Sequence, residues 1–140
     1  MVTRREFLDA LAVGAAGLAV GTTAKSYAQI LGSNDRLNFA VIGLNGRGYA
    51  HLSSLKANRN AARISHVCDV DSNILNKFAD AARQEMGDTP VADKDFRKVL
   101  EQKDVDAITI ATPDHWHTPV AIAGLQAGKH VYVEKPCSHN

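Results

Sequence analysis

From residue 36 onward, short apolar runs alternate with stretches whose apolar residues recur every three or four positions. The first run, "LNFAVIG", places Leu37, Phe39, Ala40, Val41 and Ile42 ahead of Gly43 and predicts a buried strand. Helical spacing follows from about Gly46 to Ala57, and "ARISHVCDV" predicts a second strand over Arg63 to Asp69. Ser72 is the expected cap of a helix reaching Met86, with Ile74, Leu75, Phe78, Ala79, Ala82 and Met86 on one face and Gly87 as its stop. "TPVA" predicts a brief third strand, and "DKDFRKVLEQ" a short helix turning Phe96, Val99 and Leu100 inward. "DAITIAT" is the clearest strand. Pro119 suits the first turn of a helix that runs to Ala127 and stops at Gly128, and "HVYVE" closes the series as a fifth strand. Strands alternating with helices predict βαβ units and an α/β fold with a doubly wound parallel sheet of five strands. Because the strands are apolar almost without interruption, helices are expected on both faces.

The first 28 residues do not share this pattern. Arg4 and Arg5 precede an uncharged run from Ala10 to Ala24, and Ser26 and Ala28 give a small-x-small site with a cut expected after Ala28. The run is too short, and too diluted by Gly14, Gly17 and Gly21, for the ~20 apolar residues of a spanning helix. The order Thr3-Arg4-Arg5-Glu6-Phe7-Leu8 resembles a twin-arginine (Tat) export signal, with Asp9 where a lysine is common. That resemblance implies the Tat translocase as a partner and the periplasm as destination. The expected organisation is therefore a signal peptide over 1–28, a polar linker over 29–35 and one domain over 36–140.

Composition narrows the function. The signal carries three of the sixteen basic and two of the fifteen acidic residues, which leaves thirteen of each in the rest. A neutral chain lacks the electrostatic footprint of a nucleic-acid binder. Cys68 falls within a strand pattern and Cys137 in the terminal loop, so both are expected to be free thiols.

Three stretches carry chemistry. "VIGLNGRGYAH" joins a strand to a helix, the context in which glycine spacing points to a phosphate-binding turn. Gly43 is expected to make the tight turn and Gly48 to let the helix pack on the strand, while Asn45 replaces the usual middle glycine beside Gly46. The helix N-terminus offers free N–H groups to a phosphate, with Arg47 as an extra contact. Asp69, about 20 residues past Gly48, stands where an acid binds the adenosine ribose hydroxyls, and Asp71 is the alternative. A carboxylate there repels a 2′-phosphate, which favours NAD, whereas Arg47 keeps NADP open. "IATPDHWHTP" leaves a strand at the same carboxyl edge; Thr112 and Pro113 turn the chain, and His115, Trp116 and His117 are expected to crowd the resulting loop. A His-x-His pair without a third ligand is a poor zinc site, so His115 and His117 are read as packing and hydrogen bonding at the cofactor.

"IATPDHWHTPVAIAGLQAGKHVYVEKP" resembles the central signature of the Gfo/Idh/MocA oxidoreductase family, and the glycine loop and "HVCDVD" match at the expected places. The resemblance covers residues 36–140. It implies a Rossmann domain for NAD(P), hydride transfer with a sugar, cyclitol or related polyol, and a second α/β domain that holds the substrate. Lys135 maps to the lysine beside the nicotinamide and the reacting hydroxyl, Pro136 to a proline that is often cis, and Glu134 is expected to hold Lys135 charged. Since the acid/base histidine of the family comes from the second domain, residues 36–140 are expected to be the cofactor part of such an enzyme, a fragment of it. Two alternatives stay open: a glycosidase of the same superfamily using bound NAD, and a non-catalytic dinucleotide-binding module. The uncovered edge of five strands favours self-association, so a homo-oligomer is also expected.

Overall fold

The computed structural model describes residues 36–138. The expected export signal and linker lie outside the described residues. The elements are β1 (Leu37–Ile42), α1 (Arg47–Ala57), β2 (Ala62–Cys68), α2 (Ser72–Met86), β3 (Val91–Asp93), α3 (Phe96–Leu100), β4 (Ala107–Ile110), α4 (Asp114–Gln126) and β5 (His130–Val133). All strand pairs are parallel, in the order β3-β2-β1-β4-β5. The doubly wound sheet anticipated from the alternation is therefore present. Among the described residues no helix is long and apolar enough to cross a membrane.

The alternation of side chains along β1 divides the core in two. Val41 packs with Leu44, Leu52, Ile64, Val67 and Phe78 beneath α1 and α2. Ala40 and Ile42 point the other way, to Val99, Ile108, Ile110 and Val120 beneath α3 and α4. Successive strand residues point to opposite faces, so two apolar faces on β1 require helices on both. In β2, Ile64 and Val67 belong to the same cluster although three positions separate them. A register slip resolves this: Phe39 pairs with Ile64 but Ala40 with His66, which leaves Ser65 as the extra residue. Each large side chain buried in this way contributes about 1.5–3 kcal/mol.

Three local expectations change. The cap of α2 is Asp71, not Ser72: its carboxylate accepts from the N–H groups of Asn73 and Ile74 at 2.8 and 3.4 Å. An aspartate just outside the helix reaches those free donors, whereas Ser72 is already within the first turn. Gly87 ends α2 in the left-handed conformation, φ 78°. The third strand lies at Val91–Asp93, slightly later than expected, where Val91, Ala92 and Asp93 pair with His66, Val67 and Cys68.

The helix of Pro119 starts at Asp114, with Pro113 as its cap and Pro119 inside it. His115, Trp116 and His117 are therefore helical rather than part of a loop. Pro119 sits in the second turn, where its missing N–H forgoes one bond to the His115 carbonyl. Close packing holds the helix in place: a Cβ on Gly124 would lie 2.5 Å from Ile108 Cδ1 and 3.0 Å from Val131 Cγ2. Only glycine lets α4 sit this near β4 and β5, which fixes where its N-terminal turn emerges.

Candidate functional site

The strand order reverses between β1 and β4, and the turns that follow these strands meet there. Gly43 ends β1 with φ 84°, and a Cβ on it would stand 2.5 Å from the Thr112 nitrogen and 2.6 Å from the Ala111 carbonyl carbon. The glycine is thus required both by its backbone and by the approach of the turn after β4. Gly48 plays a packing part in α1, since a Cβ there would lie 2.7 Å from the Gly43 oxygen.

Asp69 closes the glycine loop from the side of β2. One carboxylate oxygen accepts from the Leu44 N–H at 2.9 Å and the other from the Asp71 N–H at 3.0 Å. Asp71 is engaged in capping α2, which leaves Asp69 as the acid that faces the loop. Asn45 is exposed and its side-chain oxygen accepts from the Gly46 N–H at 3.0 Å. The start of α1 differs from the other helices: Gly46 is its cap, no side chain bonds there, and its first turn holds no acid. By contrast, α2 and α3 are capped by the carboxylates of Asp71 and Asp95, and α4 has Asp114 in its first turn. The partial positive charge at α1 is left for an anion from outside.

On the side of β5, Glu134 is buried and gathers two partners from α1. Arg47 Nε donates to its carboxylate at 2.8 Å, and His51 Nε2 lies 2.9 Å from the same oxygen. These bonds hold the Glu134 carboxyl well below its ordinary 4.5, at about 2, with the Arg47 bond the largest cause. The expectation that Glu134 holds Lys135 is therefore corrected. Neighbours at a strand end point to opposite sides, and Glu134 turns towards α1. Lys135 is exposed and has no partner among the described residues. The Lys135–Pro136 peptide is cis.

His117 is buried, with Nδ1 2.7 Å from the Pro136 carbonyl oxygen and Nε2 2.8 Å from that of Thr112. It ties the turn after β4 to the turn after β5. His115 is exposed on the same helix, and residues two apart on a helix do not face one another. Among the described residues no group of three or more His, Cys, Asp or Glu side chains converges as a metal site.

Two cavities open on this edge, with Thr112 in the wall of both. The first, of about 470 Å³, lies between the ends of β1, β2 and β4, and takes in Gly43, Asp69, Val70, Phe96, Arg97, Pro113, His115 and Trp116. Cys68 also lines it, and burial, aided by the nearby Asp93 and Asp69 carboxylates, pushes its thiol up to about 12. It is therefore a neutral wall residue. The second cavity, of about 420 Å³, is lined by Arg47, Ala111, Thr112, Asp114, His117, Glu134 and Lys135. The Thr112 hydroxyl is buried without a partner among the described residues, as is Nδ1 of His51.

Several of these residues were not singled out in the sequence. His51 had a legible signal, because it stands four positions after Arg47 and so shares its helix face. Trp116 was placed beside His115 and His117 at this edge but given no role, and Val70, Phe96, Arg97 and Asp114 had no signal pointing to the site, since tertiary packing alone brings them to the cavities.

Residues 37–140 match the profile of an oxidoreductase family described by its NAD-binding Rossmann fold. A Shewanella sp. (strain ANA-3) protein named glycosyl hydrolase family 109 protein 2 is 33% identical over 155 residues, covering 95% of this chain and 33% of the relative. A Saccharopolyspora erythraea protein named glycosyl hydrolase family 109 protein is 31% identical over 153 residues, covering 96% and 33%. Among solved structures, the WlbA dehydrogenase of Bordetella pertussis, in complex with NADH and UDP-GlcNAcA, superposes with a TM-score of 0.65 at 27% identity, over 75% of this chain and 30% of that one. The apo scyllo-inositol dehydrogenase of Lactobacillus casei gives 0.65 at 27% identity, over 76% and 30%. The chain spans about one third of the length of the curated relatives it matches.

Proposed function

The chain belongs to the Gfo/Idh/MocA oxidoreductase family as its NAD-binding Rossmann domain, and we propose that it presents Lys135 to the nicotinamide and to a sugar, cyclitol or related polyol hydroxyl. The observation that carries this reading is the unpartnered Lys135 ammonium, which opens on one cavity with Arg47, Thr112 and Glu134. The residues fit a dinucleotide. Asp69, Val70 and the first cavity would hold adenosine; Gly43, Asn45, Gly46, Arg47 and the start of α1 the pyrophosphate; and the second cavity the nicotinamide end. The orphaned Thr112 hydroxyl lies between the two. When bound, the cofactor supplies a hydride acceptor. Lys135 donates a hydrogen bond to the substrate oxygen and stabilises the charge that develops as that oxygen loses its proton. Glu134 positions Arg47, and His117 with Pro136 and Thr112 sets the backbone from which Lys135 projects.

A second reading rests on the two glycosyl hydrolase relatives. In it the same Lys135 assists an oxidation that is reversed within one cycle, so that the net reaction is glycoside cleavage. One experiment separates the two. The chain is titrated with NAD and NADP by calorimetry, then incubated with NAD and a panel of sugars, cyclitols and chromogenic N-acetylhexosaminides. NADH accumulating from polyols supports the dehydrogenase; chromophore release without net NADH supports the glycosidase. NAD binding with neither reaction would support the dinucleotide-binding reading and leave both catalytic readings without support from this chain.

The segment around Arg4 and Arg5 supports export to the periplasm through the Tat translocase. Fractionation of the producing cells checks this, and an Arg4→Lys, Arg5→Lys variant should retain the protein in the cytoplasm. Periplasmic recovery of that variant would reject the route.

A further inference from the structure

His51 is a buried titratable side chain at this edge to which the proposed chemistry gives no part. It is 6% exposed and stands one turn after Arg47 on the same face of α1. The Tyr132 ring from β5 packs edge-on against it, with centroids 5.5 Å apart and planes at 83°, which fixes the imidazole. Nε2 lies 2.9 Å from Glu134 Oε1, while Nδ1 is buried without a partner among the described residues. Glu134 is held ionised, at about 2, so its oxygens only accept and Nε2 must carry the proton. The imidazole therefore has one polar task. Packing alone would be met by a leucine, which leaves no buried nitrogen unpaired.

The same Glu134 oxygen accepts from Arg47 Nε at 2.8 Å. Arg47 is 62% exposed, and a long exposed side chain does little to hold its own partner still. Of the three, His51 is the member held by its surroundings. Gripping the arginine by Nε leaves both terminal guanidinium nitrogens outside that bond, at the first residue of α1 and in the wall of the second cavity. A guanidinium presents its donors as a planar fork, so its hold on a phosphate depends on the plane in which it is fixed.

From this geometry, and resting on the NAD reading, we infer that His51 is a positioning residue for cofactor binding: its Nε2–H fixes the Glu134 carboxylate, which holds Arg47 by Nε and keeps the terminal guanidinium nitrogens for the pyrophosphate. His51 touches neither cofactor nor substrate. Its effect passes through Glu134 to Arg47.

A double-mutant cycle tests this route. The full chain is titrated with NAD by calorimetry as the unaltered protein, His51→Leu, His51→Gln, Arg47→Ala and the combined His51→Leu, Arg47→Ala variant, and each is checked for folding by its urea midpoint. His51→Leu should weaken NAD binding roughly tenfold. His51→Gln, whose amide keeps a donor near the place of Nε2, should retain most of the affinity. In the Arg47→Ala background His51→Leu should cost little more. If His51→Leu does not fold, His51→Asn, whose shorter amide does not reach Glu134, takes its place in the cycle. An unaltered NAD affinity in a folded His51→Leu would overturn the inference, as would an equal loss with and without Arg47; both leave the dinucleotide reading intact. No heat from NAD with the folded, unaltered chain would remove that reading itself, and the inference with it.

Discussion

The two cavities on the carboxyl edge share Thr112 and little else. The one beside β2 is walled by Val70, Phe96 and Trp116, and each oxygen of its acid, Asp69, accepts one N–H of the adjoining turns. The one beside β5 is walled by Arg47, Asp114, Glu134 and Lys135, and the Lys135 ammonium has no partner among the described residues. The first offers mainly apolar and aromatic side chains, and the second mainly charged ones. A ligand with one flat apolar end and one reactive end matches this division, and the bare start of α1 lies between the two.

Gly43→Ala should erase the distinction, because the added Cβ would strike the turn shared by both cavities. Strain at positive φ and overpacking together should cost about 3 kcal/mol or more, read as a lower midpoint in urea with NAD binding lost. An unchanged midpoint would mean that the turn after β4 moves aside freely. Lys135→Met should break the β5 side alone: turnover by whichever reaction the panel reveals should fall about 10²–10⁴-fold, while NAD heat stays the same. Loss of NAD binding instead would make Lys135 a cofactor anchor.

Glu134→Gln sharpens the comparison at its base. Arg47 is largely exposed and its bond contributes little, but His51 is buried, so the variant should lose about 1–3 kcal/mol. The pH dependence has a definite sign. A carboxyl lowered from 4.5 to about 2 stabilises the fold above 4.5, and that contribution is lost as pH falls towards 2. The acid limb of a stability profile should therefore be shallower in Glu134→Gln. An equally steep limb would assign the effect to other carboxylates. Asp69→Asn should have the smallest effect, since the amide keeps one acceptor for two donors. A loss of about 1 kcal/mol and weaker NAD binding are expected, with NADP gaining relative to NAD.

Most of the fold was legible because it follows from repetition. The runs at "LNFAVIG" and "DAITIAT" and the face from Ile74 to Met86 repeat a period that burial demands, and those periods are local properties of the chain. The N-terminus of the last helix was harder. Pro119 is a sound first-turn residue by itself, but the helix starts at Asp114, after Pro113, and the packing of Gly124 on Ile108 holds that earlier start in place. At the site, Gly43, Asp69 and Lys135 announced themselves by their place in a motif. Their partners did not.

Sequence alone determined the alternation, the glycine turn and the acid at the end of the second strand, because each depends on neighbours along the chain. Tertiary structure decided that Glu134 belongs to Arg47 and His51 rather than to Lys135, and that His117 ties two turns together. It also brought Trp116 and Val70 into the wall of one cavity. Those pairings join residues up to 87 positions apart, and contacts over such separations are set by how strands order themselves in a sheet, which no local period encodes.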